Sequence, residues 1–389
     1  MHGSEHVISF NFVQPGRVVF HRGCVAELGR EASKLGSKAL LVTGTRFARR
    51  SGYLDKLKSS LEECGLSVVV FDRVEPNPSL ETVDRGARLA IESRVDLVVG
   101  FGGGSPMDAA KGIAVVAKLG GSAADYIYPR IIEEEVLPIV AIPTTTGTGS
   151  EVTRYAVLTD TGTRKKVVIV GYPIVPRVAL LDPDVADYMP GRLAAGTGFD
   201  ALSHALEAYM SRRATPISDL FARESVRLIV ENLVEAVRGS KEAREAMMYA
   251  SMLAGVAINH AGTTLVHGLG YYLTTHHDVH HGLANAMLLP YAIEFYARAI
   301  GDKLDRLASE LGLRGWRGLL EEVVRLEDEV GIPENLSTLG LSEGELGEMV
   351  RVAMSYKRNL ENGPIVPSPD EVRAIYAKCF KGRSELKTS

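Results

Sequence analysis

Tryptophan and glutamine each occur once in 389 residues, the glutamine as Gln14, and cysteine occurs three times. Cys24, Cys64 and Cys379 are odd in number, far apart and in no C-x-x-C spacing, which excludes a disulfide framework and a thiolate metal site and leaves three inert thiols as the expectation. No uninterrupted apolar run reaches the ~18 residues a membrane span needs. The first six residues, MHGSEH, have neither the basic nor the apolar segment of a secretory leader, so a cytoplasmic protein without a membrane partner is expected. An excess of charge of one sign is also missing: 44 Lys and Arg stand against 48 Asp and Glu. Nothing electrostatic therefore draws the chain to nucleic acid, and a small-molecule enzyme fits the balance better. Internal repeats and low-complexity linkers are absent too. The scarcity of glutamine beside abundant Glu and Arg is the lean of thermophile proteins.

What is present is enough sequence for two cores of roughly 150 to 200 residues. Between Ser37 and Pro143, short β-branched runs at 39–43, 68–72, 97–101 and 139–142 alternate with helical patterns around 53–64, 79–93 and 106–118. Such alternation predicts βαβ units and a parallel, doubly wound sheet. A last strand-like run at 178–182 ends in Asp182-Pro183, and beyond it the period becomes helical. The boundary is placed near Pro190, giving an α/β domain over 1–190 and an all-α domain over 191–389. Thr215-Pro216 reads as N-cap and first helical residue with Gly239 closing that helix, and Ser368-Pro369-Asp370-Glu371 as a capping box. The Met- and Ala-rich stretch 245–256 reads as a core helix face rather than a ligand stripe.

Two polar turns carry chemistry. Gly102-Gly103-Gly104-Ser105-Pro106 follows a strand and precedes a helix, so backbone N–H groups and the helix dipole face the turn, where a pyrophosphate would sit. Ser105 is expected as the N-cap, Pro106 as the first helical residue, and Asp108 either as a capping carboxylate or as a cofactor contact. The second turn, residues 142–151 (IPTTTGTGSE), concentrates hydroxyls and glycines at a strand's carboxyl end, where they suit ribose and phosphate oxygens better than packing.

Asp200 and His204 lie four apart in a segment that reads as a helix, which puts both on one face. Six of the ten histidines fall between His260 and His281. One carboxylate with neutral imidazoles suits Fe²⁺ or Zn²⁺ rather than Mg²⁺ or Ca²⁺. Taken alone, the Asp200 and His204 pair could equally be a helix-favoured carboxylate and a core histidine. An open-site divalent cation beside a nicotinamide implies hydride transfer at a polarised carbonyl.

With these motifs in order, the chain resembles the iron-containing (group III) alcohol dehydrogenases over nearly its whole length. The resemblance rests on GGGSPMD at 102–108 with Lys111 after it, IPTTTGTGSE at 142–151, GFDALSHALE at 198–207 and HGLANAMLLP at 281–290. It implies an N-terminal Rossmann-like domain, a C-terminal helical metal-binding domain and a cleft between them. It implies Asp200, His204, His267 and His281 as metal ligands. The cofactor contacts it implies are Gly102, Gly103, Gly104, Ser105, Asp108, Thr144, Thr145 and Thr148, with Lys166 near the nicotinamide ribose. Homodimers or larger assemblies are usual in the family.

The chain departs from the family in two places. Members similar to lactaldehyde reductase have a second histidine four residues after the third ligand, where this chain has Tyr271; Tyr271, His277 and His280 are the candidates to replace it in proton transfer, a histidine being preferred on its ordinary pKa. NAD-using members carry Asp directly after the first strand of the series, where this chain has Gly44, Thr45 and Arg46, with Arg49 and Arg50 one turn on. The expectation is therefore an Fe²⁺ enzyme, Zn²⁺ also being suited, that prefers NADP(H) to NAD(H) and acts on a small alcohol, aldehyde or ketone. A hydroxyacid-oxoacid transhydrogenase of the same fold is the alternative within enzymes, and a catalytically silent metal- or nucleotide-binding protein the alternative outside them.

Overall fold

The structure is a computed structural model and describes residues 10–386. Its first half is built on eight strands: β1 (Arg17–Phe20), β2 (Lys38–Gly44), β3 (Ser67–Val74), β4 (Leu97–Gly102), β5 (Ile139–Pro143), β6 (Tyr155–Asp160), β7 (Lys165–Val170) and β8 (Val178–Leu181). Six form one sheet in the order β1-β8-β5-β4-β2-β3, every pair parallel. The strands β2, β4 and β5 are almost wholly buried on both faces, as Val-, Leu- and Ile-rich runs covered by helices should be.

Helices of ten or more residues are numbered here α1 (Tyr53–Glu63), α2 (Leu80–Glu92) and α3 (Gly104–Leu119) in the first half. In the second they are α4 (Gly191–Met210), α5 (Pro216–Arg238), α6 (Lys241–Ala261), α7 (Leu265–His277), α8 (His281–Glu310), α9 (Gly315–Glu329) and α10 (Pro369–Lys381). An α/β domain followed by a helical one is the predicted class. Thr215 caps α5 with Pro216 behind it and Gly239 ends it at φ 106, and Ser368 and Glu371 form the expected box on α10. The Met- and Ala-rich face of α6 is core, with Met247, Met248, Ala250 and Ala254 buried. Cys24 and Cys379 are buried, while Cys64 is exposed, and all three are unpaired. No helix among the described residues is long and apolar enough to cross a membrane.

Two local expectations are corrected. The helix after the glycine turn starts earlier than read from sequence: α3 begins at Gly104, and its cap is the extended Gly103 rather than Ser105. Pro106 is then its third residue, tolerated because the first-turn N–H groups have no partner inside the helix anyway. Asp108 falls in the second turn and caps nothing; its carboxylate instead accepts from Ser150 Oγ at 2.6 Å and from the Val157 N–H at 3.0 Å. The other correction is an omission. The β6–β7 hairpin and the edge strand β1 were not anticipated, β1 because four half-exposed residues carry no period to read.

The order of strands fixes where a ligand can go. The chain winds outward from β2 to β3, then returns across to β4 and β5, so the direction of winding reverses between β2 and β4. Such a reversal opens a crevice at the carboxyl ends of the strands. Gly44 and Gly102 end the two strands that flank it, and Gly102, at φ +151, turns the chain into α3 where a Cβ would lie 2.5 Å from Pro106. The second half closes on this edge through another glycine contact: a Cβ on Gly149 would meet Gly255 Cα of α6 at 2.5 Å.

Candidate active site

Three helices converge on one cluster. Asp200 and His204 project from the same face of α4, His267 stands in the first turn of α7, and His281 is the first residue of α8. Donor atoms of Asp200, His267 and His281 all lie within 4.8 Å of one another. The His204 Nε2 atom is 3.9 Å from Asp200 Oδ1 and 3.0 Å from His267 Nε2.

For His204 and His267 the other ring nitrogen explains the orientation. The His204 Nδ1–H donates to the Gly147 carbonyl at 3.1 Å, in the second polar turn. The His267 Nδ1–H donates in a short bond to Glu207 Oε2, and Glu207 is itself held by the Thr264 N–H at 2.8 Å and the Thr264 hydroxyl at 3.0 Å. Both rings therefore aim an unprotonated Nε2 at the same point, the arrangement a carboxylate behind a ligating histidine enforces. Asn285, one turn into α8, places its amide nitrogen 2.8 Å from Asp200 Oδ1, 3.2 Å from His281 Nε2 and 3.3 Å from His267 Nε2.

Charge states agree with the geometry. Burial presses on the Asp200 carboxyl, but the three imidazoles and the Asn285 amide outweigh it and hold it below the usual carboxylate range. Burial pushes His204 down and His281 down to about 3, so both are neutral, the form that ligates. For His267 burial works in the same direction, yet Glu207 overcomes it and draws the ring upward. Nitrogen and oxygen donors converging around one anion fit a divalent cation, which would take the place of the proton that Glu207 favours on His267. The set contains too few oxygens for Mg²⁺ or Ca²⁺.

The cluster lies in the wall of a cavity of about 840 Å³ that runs to the crevice of the sheet. Of the residues expected to touch a cofactor, Gly44, Thr45, Arg46, Gly103, Gly104, Ser105, Asp108, Thr145, Thr148 and Lys166 line this cavity. Gly102 and Thr144 do not; the Thr144 N–H donates to the Gly102 carbonyl at 2.9 Å, tying the two turns together behind the wall. Ser105 accepts from the Asn77 N–H at 3.2 Å. Lys166 donates to Asn77 Oδ1 at 2.8 Å and Thr159 Oγ1 at 3.1 Å, and burial pushes its pKa down to about 8. Arg49 is paired with Asp72, whereas Arg46 has no side-chain partner among the described residues.

The three residues considered for proton transfer separate. Tyr271 is in the wall, its ring stacked 5.8 Å from that of His281, and burial raises its phenol far above the ordinary value. His280 is also in the wall, next to Gly196. His277 is not, because its Nε2 is engaged at 2.6 Å by Glu345.

Sequence reasoning missed Glu207 and Asn285. The signal for Glu207 was its place three residues after His204, on the same helix face, and for Asn285 its place four after His281. Tyr155, Tyr356 and Arg358 also line the cavity, brought there only by the tertiary fold.

Comparison with known proteins points the same way. The family description "Iron-containing alcohol dehydrogenase" matches residues 15–183, and "Fe-containing alcohol dehydrogenase family, C-terminal" matches residues 194–380. The chain is 36% identical over 346 residues to an NAD-dependent methanol dehydrogenase of Bacillus methanolicus, covering 86% of this chain and 91% of that one. It is 34% identical over 348 residues to an NADPH-dependent butanol dehydrogenase of Clostridium saccharobutylicum, covering 87% and 89%. The crystal structure of an iron-containing alcohol dehydrogenase from Thermotoga maritima matches with a TM-score of 0.87 at 38% identity, over 96% of this chain and 100% of that one.

Proposed function

Because the chain belongs to the iron-containing alcohol dehydrogenase family, we propose that it transfers hydride between NADP(H) and a small alcohol, aldehyde or ketone, with one divalent cation, Fe²⁺ or Zn²⁺, as its metal. The observation that carries the reading is that one cavity is lined both by the glycine turn of the sheet and by the cluster of Asp200, His204, His267 and His281.

Those four residues would hold the metal, and the wall from Gly44 to Lys166 the cofactor. When both are bound, the cation polarises a carbonyl oxygen as a Lewis acid and the nicotinamide gives or takes the hydride. The chain's own residues do the rest. The N–H groups at the start of α3 and that helix's dipole receive the pyrophosphate. Lys166 offers N–H donors to a cofactor hydroxyl, and Glu207 keeps His267 in the tautomer that leaves Nε2 free. The proton exchanged with the substrate oxygen passes Tyr271 or His280, the two candidates in the wall. Removing Tyr271's hydroxyl as Tyr271→Phe, or the His280 ring as His280→Ala, should shift the pH–rate profile; an unaltered profile in both would leave the relay to water.

The test is a panel of alcohols and aldehydes assayed with NADPH, NADH and their oxidised forms, on protein loaded with Fe²⁺ anaerobically and on the same protein stripped of metal. Hydride transfer that depends on metal is expected. Full turnover without metal, or no cofactor turnover with any substrate, would overturn the reading.

A further inference from the structure

Besides Arg46, the cavity wall contains another arginine that the fold has not paired. Arg358 is half-buried in this wall, its guanidinium 4.9 Å from the ring of Tyr155 and 5.2 Å from that of Tyr128. It forms no hydrogen bond and no ion pair with any described residue. Several other arginines of this chain are matched: Arg22 by Asp184, Asp187 and Glu245, Arg227 by Glu224 and Glu231, Arg383 by Glu327 and Asp328. The Arg358 guanidinium is thus held near two ring faces with its N–H donors uncommitted to any described residue.

A second guanidinium approaches the same tyrosine. Arg154 is 5.5 Å from the Tyr155 ring and donates from Nε to its hydroxyl at 3.4 Å, again with no carboxylate partner. Burial works against ionisation of the Tyr155 phenol, yet Arg154, Arg358 and Arg213 together hold it below the ordinary range. Acidic residues of the cavity are committed elsewhere: Glu75 to Ser79 and Thr82, Asp108 to Ser150, Asp200 to the ligand cluster. Asp278 is exposed, and no ion pair joins it to Arg358.

This unpaired cation is connected to the reacting end of the cavity. Tyr356, two residues before Arg358, lies 4.7 Å from Tyr271, which stacks on His281. Its hydroxyl also accepts from the Lys166 N–H at 3.1 Å. Ring contacts therefore link His281 through Tyr271 to Tyr356, and these three residues line the same cavity as Arg358.

We propose that the substrate is a short aldehyde or alcohol ending in a carboxylate or sulfonate, and that Arg358, with the Tyr155 hydroxyl beside it, binds that oxyanion. The inference rests on the oxidoreductase reading and adds to it the class of substrate. A planar guanidinium matches the two oxygens of such a group in a bidentate pair. A neutral alkyl substrate would leave a half-buried cation unmatched.

The experiment compares matched pairs: 4-oxobutanoate against butanal for the carboxylate, and sulfoacetaldehyde against propanal for the sulfonate. In the native enzyme kcat/KM should favour at least one anionic partner by roughly tenfold or more. Arg358→Gln should lower that ratio by a similar factor, and Arg358→Lys should restore part of it. A readout independent of turnover is calorimetric binding of succinate and of ethanesulfonate to the enzyme with NADPH, which Arg358→Gln should abolish. Equal kcat/KM within both pairs, together with no binding of either anion, would overturn the proposal while leaving the oxidoreductase reading intact. Absence of hydride transfer with all four aldehydes would overturn the oxidoreductase reading, and anion binding would then still report on Arg358.

Discussion

His204 and His267 face each other through their Nε2 atoms at 3.0 Å, while their Nδ1 atoms are committed to the Gly147 carbonyl and to Glu207. Two lone pairs at that distance repel unless a positive charge lies against both, so the pair is at its most stable with a cation bound. Removing metal with a chelator should lower the melting temperature by several degrees, since a ligand at ~1,000 times its Kd adds about 4 kcal/mol. Adding back Fe²⁺ or Zn²⁺ should restore it, and His204→Ala should remove the shift. Scanning calorimetry with and without chelator measures this, and a wild type indifferent to chelation would refute it.

Glu207 is not itself one of the four candidate ligands and acts through its bond to His267. Glu207→Gln replaces the charged acceptor of the Nδ1–H by a weaker, neutral one, and metal affinity should fall roughly 10- to 100-fold with the fold intact. Competition with a chelating dye gives the affinity, and circular dichroism the fold. Glu207→Ala should be worse, because it also strips the buried Thr264 N–H of its partner at a cost of ~1 to 3 kcal/mol. If Glu207→Gln binds metal as tightly as wild type, the carboxylate has no positioning role.

Lys166 gives a pH prediction. Burial holds its pKa near about 8, so it is charged at pH 7 and mostly neutral at pH 9. The charged form is the one that attracts an anionic cofactor. Affinity should therefore be highest below about pH 8 and fall as pH rises through it, by up to about tenfold between pH 7 and 9. Lys166→Met should bind more weakly at pH 7 and lose this slope. Fluorescence titration of NADPH at both pH values decides it: an equal slope in the variant would assign the pH dependence to another group.

These sites differ in how far a sequence could expose them. The strands ending at Gly44, Gly102 and Pro143 were legible because parallel strands buried on both faces read as unbroken apolar runs. Asp200 and His204 were legible as a pair because helical spacing is local. His267 and His281 came from the resemblance alone, as nothing local separates a ligating histidine from His276, whose ring stacks on Tyr272 instead. The start of α3 was misread because Ser105 is the better cap by type, whereas packing against Thr148 favours Gly104 in the first turn: a Cβ there would lie 2.8 Å from the Thr148 methyl. Arg358 could not be found at all from its neighbours in sequence. Its meaning comes from missing partners, which only the fold reveals.

The choice between the two nicotinamides rests on the end of β2. In a dinucleotide fold, a carboxylate there accepts from the adenosine 2′-hydroxyl and repels a 2′-phosphate. Gly44 supplies no carboxylate, and both it and Arg46 line the cavity. Arg49 is neutralised by Asp72, so Arg46 is the cation left to meet a phosphate. One charge-assisted bond from it contributes about 1.5 to 3 kcal/mol, enough for at least a tenfold preference for NADP(H). The substitution that tests this is sterically quiet: a Cβ at Gly44 would meet only Pro106 Cγ and the Val74 carbonyl oxygen, each at 3.7 Å, an ordinary contact. Gly44→Asp should therefore fold normally and shift the ratio of kcat/KM toward NAD(H), while Arg46→Ala should weaken NADPH binding more than NADH binding. A wild-type enzyme that prefers NADH would refute this reading of the strand end, and it would do so without touching the assignment of the metal cluster, whose residues lie on α4, α7 and α8.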